Sequence, residues 1–300
     1  MSIHAVILAG GEGTRFAPIS TPEKPKQFLF VTDSNRTMIQ QCCDRLSGFV
    51  ATSSIYVSTN NRYTSHIESQ LPEVGKENIL GEPLKKNTAP AIAFCTALIA
   101  KVNPKAIVFF LPSDQFIADV SRQNEIFKNA AHFLENQSKL AIFGVTPTFP
   151  CTDYGYIHRE KDGESSPYRV LSFKEKPNIE TAKSYIQDQQ HLWNAGIFAW
   201  RGDVFLENLL QYAPEIHRLV TKHVLDCPHP LDEKNVRSYF EACPSISIDY
   251  ALMEKADNIV VFPFDVGWSD VGTWKGLFEL KQSFGLKLPL EIENHLRALF

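Results

Sequence analysis

The sequence predicts an α/β fold built on a doubly wound, mostly parallel sheet. Three observations carry this. Short, nearly all-apolar runs alternate with amphipathic segments through the first half of the chain, as expected for strands covered on both faces by helices. Gly10-Gly11 and Pro112-Ser113-Asp114 follow directly on two of those runs, where open sheets of this class present their ligand sites. The chain has 300 residues, 44% hydrophobic and 21% charged, ample for one large buried core and ordinary for a globular protein.

The elements follow in order. Ala5–Ala9 reads as a buried strand, and Met38–Phe49 as a helix capped by Thr37, with Gly48 near its end. Ile55–Ser58 is a second strand. Asn87-Thr88-Ala89-Pro90 opens the apolar helix Ala91–Val102, with proline close to the first turn, where a missing N–H costs nothing. Ala106–Leu111 is a third strand, Ser121–Gln137 a helix and Leu140–Val145 a fourth strand. Beyond residue 150 the texture changes. Strands are expected at Val170–Phe173, Gly196–Trp200 and Ile259–Phe264, with helices at Ile179–Gln190 and Asp203–Tyr212. All four tryptophans fall in this part, which we read as a substrate-facing extension of the same sheet. Residues 1–284 then form one domain, with a first half of about 1–150 and a second of about 151–284, and Gly285–Phe300 is a short tail.

Thirty Lys+Arg against 34 Asp+Glu give a net charge of −4, and nothing requires the basic face of a nucleic-acid binder. The six cysteines, at 42, 43, 95, 151, 227 and 243, include no CxxC pair, so free thiols in a reducing compartment are expected. Ala5–Ala9 is too short for a signal sequence or a membrane span. The expected location is the cytoplasm, away from membranes.

Gly10-Gly11-Glu12-Gly13-Thr14-Arg15 follows the first strand, and glycines there let backbone N–H groups approach phosphate oxygens. Phe16 occupies the third glycine position of a dinucleotide fingerprint, and no Gly-Lys-Ser/Thr of a Walker loop is present. Arg15, a cation beside the loop, tilts the reading from a plain turn to a triphosphate site. Lys26 is a second cation nearby in sequence. Asp114, just past a strand, suits either Mg²⁺ or the capping of a turn. Asp270, in Gly267-Trp268-Ser269-Asp270-Val271-Gly272, is either a second such carboxylate or an N-cap for the segment running to Ser283. No GxSxG elbow or HExxH helix occurs, and His217 and His223 are spaced too badly to share a helix face.

Jointly, in order and spacing, these motifs resemble the sugar-phosphate nucleotidyltransferases, and within them the bacterial mannose-1-phosphate guanylyltransferases. The resemblance covers roughly residues 3 to 280. It rests on Ala9–Phe16 with Pro25-Lys26-Gln27-Phe28, Glu82-Pro83, Asn87-Thr88-Ala89-Pro90-Ala91, Leu111-Pro112-Ser113-Asp114 and Asp153-Tyr154-Gly155-Tyr156-Ile157. Phe173-Lys174-Glu175-Lys176-Pro177, Trp193-Asn194-Ala195-Gly196, Ser247-Ile248-Asp249-Tyr250 and the segment around Asp270 continue it.

The resemblance implies a Rossmann-like fold of the nucleotide-diphospho-sugar transferase type. It implies transfer of GMP from GTP to mannose 1-phosphate, by in-line displacement at the α-phosphorus with Mg²⁺ and without a covalent enzyme intermediate. Arg15, Lys26 and Asp114 are then the catalytic residues. Leu8, Gly10, Gly11, Gly13, Thr14, Glu82, Asn87, Thr88 and Ala89 lie on the nucleotide. Gly155, Glu175, Lys176 and Asn194 lie on the sugar phosphate, so the resemblance makes residues 1–284 a nucleotidyltransferase catalytic domain, its nucleotide half about 1–150 and its sugar-phosphate half about 151–284. Asp114 and Asp270 hold the metal.

Two departures are visible. Ser113 stands where relatives more usually have alanine in Ala-Asp-His, and the left-handed β-helix or fused isomerase of longer relatives has no counterpart by Phe300, so homo-oligomer formation is left open. Another hexose or a heptose 1-phosphate, a thymidylyl or uridylyl enzyme, and a non-catalytic GDP-sugar-binding regulator are the competing readings.

Overall fold

The computed structural model describes residues 1–11, 13, 16–33, 35–160 and 166–300. In chain order its elements begin with β1 (Ile3–Leu8), α1 (Met38–Leu46), β2 (Ile55–Asn60), α2 (Thr64–Gln70), β3 (Ile79–Glu82), α3 (Thr88–Val102), β4 (Ile107–Pro112) and β5 (Phe116–Ile117). Then come α4 (Val120–Glu135), β6 (Leu140–Val145), β7 (Tyr156–Arg159), β8 (Tyr168–Lys174), α5 (Ile179–Gln187), β9 (His191–Arg201), α6 (Gly202–Tyr212) and α7 (Pro214–Val220). The last are α8 (Glu233–Ala242), β10 (Ile259–Pro263), β11 (Trp268–Ser269), α9 (Trp274–Phe284) and α10 (Leu290–Leu299).

The chain forms two compact units, each assembled from separate stretches of sequence and so not divided at residue 150. One comprises Met1–Val6, Glu82–Leu111 and Glu125–Asp265; the other comprises Ile7–Gly81, Pro112–Asn124 and Val266–Phe300.

In the first unit the strands lie in the order β4-β9-β6-β10-β8-β7. Consecutive residues of β4 point to opposite faces. Phe109 meets Phe127 of α4 at 5.2 Å, in a cluster with Phe143, Phe262 and Phe264. Phe110 meets Trp200, which stacks on Phe205 of α6 and donates its indole N–H to Thr96 of α3. Helices therefore cover both faces, and the α/β class stands. The ladder directions are mixed: β6 and β10 run parallel, whereas β9 is antiparallel to both β4 and β6. An all-apolar strand buried on both faces reads alike in either direction, so the mostly parallel expectation could not see this. The β6–β9 register shifts between Ile142 and Gly144, opposite Asn194.

In the second unit β3, β2 and the end of β1 are neighbours. Helix α1 starts with a capping box, in which Thr37 accepts from the Gln40 N–H and Gln40 accepts from the Thr37 N–H. The expected tail is instead a helix. Leu288, Ile292 and Leu296 are buried in one core with Phe16, Leu29, Val31, Met38, Val271, Leu277 and Leu280. No helix among the described residues is long and apolar enough to cross a membrane.

Candidate active site

The predicted site residues that are described fall in two groups, one in each unit. In the second unit, Leu8 ends β1 and its carbonyl accepts the Ser113 N–H at 3.1 Å. The glycine turn beyond it is tied down by side chains. Gln27 Nε2 donates to the carbonyls of Ala9 (3.1 Å) and Gly11 (2.7 Å), and Ser20 Oγ donates to that of Gly13 (2.6 Å). Gly10 is half-buried and Gly11 is exposed with open space where a Cβ would stand. Gly13 has φ +60°, and a Cβ there would lie 2.5 Å from the Lys26 nitrogen, so conformation and packing both demand glycine. Thr14 and Arg15 lie outside the described residues.

Lys26 opens a short 3₁₀ turn, Lys26–Phe28, after Pro25. Its ammonium is buried and has three acceptors: Asp114 Oδ2 at 2.8 Å and the carbonyls of Asp270 and Val271, each at 3.0 Å. An ammonium has three protons, so all are engaged. Lys26 reaches a phosphate only by exchanging one of these partners.

The strands explain why the two aspartates meet at one lysine. β5 and β11 are antiparallel with Ile117 opposite Trp268 and Phe116 opposite Ser269. Asp114 precedes β5 and Asp270 follows β11, so both emerge at the same end of this ladder. Asp270 Oδ1 accepts the Gly272 N–H at 3.0 Å, and the N-cap of α9 is Thr273, so Asp270 braces its own turn rather than capping the helix. Behind Asp114, the buried Arg45 of α1 donates to the Gln115 carbonyl at 3.1 Å. Burial holds this guanidinium below its ordinary pKa.

The donor set suits a hard, oxygen-seeking cation. Two carboxylates stand on adjoining turns, with the Asp114 side chain 35% exposed. No third His, Cys, Asp or Glu joins a metal-binding group among the described residues. A partial shell of this kind fits Mg²⁺, which takes most of its ligands from phosphate and water.

The second cluster belongs to the first unit. Asn194 sits beside the β6–β9 irregularity, and bulges of this kind re-aim a side chain. Its N–H donates to the Gly155 carbonyl at 2.8 Å and its Nδ2 donates to Asp249 Oδ1 at 3.3 Å. Glu175 lies directly over Gly155, where a Cβ would come 2.6 Å from Oε2. Lys176, at φ +43°, places its ammonium 3.2 Å from Glu175 Oε1. Gly155, Glu175, Lys176 and Asn194 are thus brought together. Burial, and then the Glu175 charge, push the Asp249 carboxyl up to about 6.

Glu82, buried at the end of β3, also belongs to this unit. Asn87, at φ 65°, caps α3 by accepting the Thr88 N–H. The Thr88 hydroxyl accepts the Ile248 N–H at 2.9 Å, and the buried Ala89 gives its N–H to the Ile246 carbonyl. The Asn-Thr-Ala-Pro turn therefore anchors the segment that carries Asp249. Sequence reasoning assigned no role to Gln27, Arg45 or Asp249. Gln27 and Asp249 lay inside quoted motifs, but their partners are far away in sequence.

Mannose-1-phosphate guanylyltransferase 2 of Escherichia coli O157:H7 is 38% identical over 290 residues, covering 93% of this chain and 60% of the relative. A mannose-1-phosphate guanylyltransferase of Salmonella montevideo is 37% identical over 304 residues, covering 98% and 63%. The chain thus spans about three-fifths of the length of these curated relatives. Among solved structures, the mannose-1-phosphate geranyltransferase of Thermus thermophilus is similar at a TM-score of 0.85 and 27% identity, over 93% of this chain and 79% of that one. Residues 4–285, which include both clusters, match the nucleotidyl transferase family. This chain belongs to that family.

Proposed function

We propose that this chain transfers GMP from GTP to mannose 1-phosphate, giving GDP-mannose and pyrophosphate. The observation that carries the reading is Lys26, one buried cation bound at once to Asp114 and to the turn of Asp270, beside a glycine loop. The names of the relatives support guanine as the base and mannose as the sugar.

In this reading an oxygen of the sugar phosphate forms a bond to the α-phosphorus of GTP as the bond to pyrophosphate breaks. No protein nucleophile is required, and the work is positioning and charge neutralisation. The Gly10–Gly13 loop receives the phosphates, with Arg15 and Lys26 offsetting their charge. Asp114 and Asp270 would hold a divalent metal, as is general in this family, and Mg²⁺ there would stabilise charge on the leaving pyrophosphate. Glu175 accepts sugar hydroxyls, Asn194 and Gly155 shape the pocket, and Lys176 pairs with the sugar phosphate. Leu8, Thr14, Glu82, Asn87, Thr88 and Ala89 line the nucleotide side. The reading includes a reducing, cytoplasmic setting.

The test is pyrophosphate release from GTP plus mannose 1-phosphate, with and without Mg²⁺. Release that needs both substrates and the metal is expected. No release from folded protein with this pair, but release with another sugar phosphate or nucleotide, would replace the assignment.

A further inference from the structure

Asp249 has no part in the reaction just described, yet its placement is unusual. It begins a π-helical turn, Asp249–Met253, fixed on both sides: Ile248 is held by Thr88, and Ala251, Leu252 and Met253 are buried. Its carboxylate is approached by the Asn194 amide at 3.3 Å and by the Ser247 side chain. Among the described residues no lysine, arginine or histidine comes within ion-pair distance of it, and the nearby Lys176 is paired with Glu175 instead. A half-buried carboxylate that feels the charge of another carboxylate is a structural liability, and structural needs alone would favour asparagine or an apolar residue here. Such arrangements concentrate at binding sites, where a ligand supplies the missing donors.

We propose that Asp249 is a second acceptor for sugar hydroxyls beside Glu175, so that the pocket reads two hydroxyl groups of a hexose 1-phosphate with two carboxylates. Asn194 then acts as the hinge pin of the pair, because its side chain touches Asp249 while its backbone holds Gly155, over which Glu175 lies. Two hydroxyl protons delivered together relieve the repulsion between the carboxylates. An analogue lacking one of those hydroxyls leaves a half-buried acceptor unsatisfied, and a site built to hydrogen-bond a hydroxyl discriminates strongly against the analogue without it. This assignment rests on reading the cluster as a sugar-phosphate pocket.

The experiment compares the unaltered chain with Asp249→Ala and Asp249→Asn, the second keeping the volume should the first fail to fold. Mannose 1-phosphate binding is followed by calorimetry, and steady-state kinetics are taken for both substrates. The expected result is a rise of about 10- to 100-fold in the KM and Kd for mannose 1-phosphate, with the KM for GTP unchanged. A monodeoxy mannose 1-phosphate lacking the hydroxyl read by Asp249 should bind the unaltered and variant chains alike. Unchanged sugar affinity in a folded variant, or a GTP KM that rises in step, overturns the assignment. Should the unaltered chain bind mannose 1-phosphate more tightly than the variants but transfer no GMP, the reaction is wrong and the pocket stands. Should it bind no hexose 1-phosphate at all, both fall.

Discussion

Lys26 and Asp114 form an ion pair of 2.8 Å in which the lysine side chain is 4% exposed and the aspartate 35%. The same ammonium holds the backbone of Asp270 and Val271, so one cation sets the position of both carboxylates. An arrangement of this kind fixes geometry before any ligand arrives, which is the form of preorganisation that charge stabilisation needs.

Asp114→Asn keeps the shape and removes the charge. Turnover should fall by about a thousandfold. Stability should fall by about 1–3 kcal/mol, because the buried Lys26 ammonium loses its charged partner but keeps two carbonyl acceptors. Initial rates of pyrophosphate release, taken with a thermal melt, check both, and near-normal turnover would remove Asp114 from the chemistry.

Gly13 and Gly11 make a contrast within one loop. Alanine at 13 must adopt φ +60° and meet the Lys26 backbone at 2.5 Å, whereas alanine at 11 meets nothing within 4 Å. Gly13→Ala should cost about 1–2 kcal/mol from its left-handed backbone alone, and should raise the nucleotide KM as the loop shifts. Gly11→Ala should fold with unaltered stability. Equal effects from the two substitutions would refute the packing argument.

The Asp249 carboxyl has an ordinary value of 3.8 and is pushed up to about 6 in the fold. The native state therefore keeps its proton longer than the unfolded chain. The stability this provides is complete below about pH 3.8 and is lost as pH rises through about 6. Asp249→Asn removes that dependence. The variant should be more stable than the unaltered chain at pH 7.5, by on the order of 2 kcal/mol, and the gap should close on acidification through this window. Melting curves across a pH series would show it; a gap independent of pH would count against the burial of this charge.

Leu296 is 2% exposed in a core shared with Phe16 and Met38, while Leu299 on the same helix is 50% exposed. Leu296→Ala should cost about 2–4 kcal/mol, and Leu299→Ala about 0.5 kcal/mol or less. Urea unfolding midpoints separate them, and equally small effects would return residues 285–300 to the status of a tail.

Periodicity made some elements easy to read. Leu140–Val145 is a strand with the expected bounds, and Thr37 caps α1 as its position suggested. The apolar helix predicted from Ala91 begins three residues earlier, at Thr88, because a proline in the first turn is compatible with helix. What stayed hidden depends on partners distant in the chain. β5 and β11 are two residues each, too short for any pattern, yet they bring Asp114 and Asp270 to one end of a ladder. Gln27 reads as an ordinary polar residue until its amide is seen holding Ala9 and Gly11. In sequence Lys26, Asp114 and Asp270 read as groups for chemistry that looks outward, and the bonds from Lys26 to the other two are invisible there. Asp249 is legible as a motif member, but its contact with Asn194 is not.

The core that joins Phe16, Leu29, Val31 and Met38 to Val271, Leu277, Leu288 and Leu296 also imposes an order of events during translation. The ribosome delivers the glycine loop and Lys26 first, and delivers the carbonyls of Asp270 and Val271 only 244 and 245 residues after Lys26. Until those residues emerge, the nascent loop has neither its lysine's acceptors nor its hydrophobic floor. The site takes its final form only after Leu296 has left the exit tunnel.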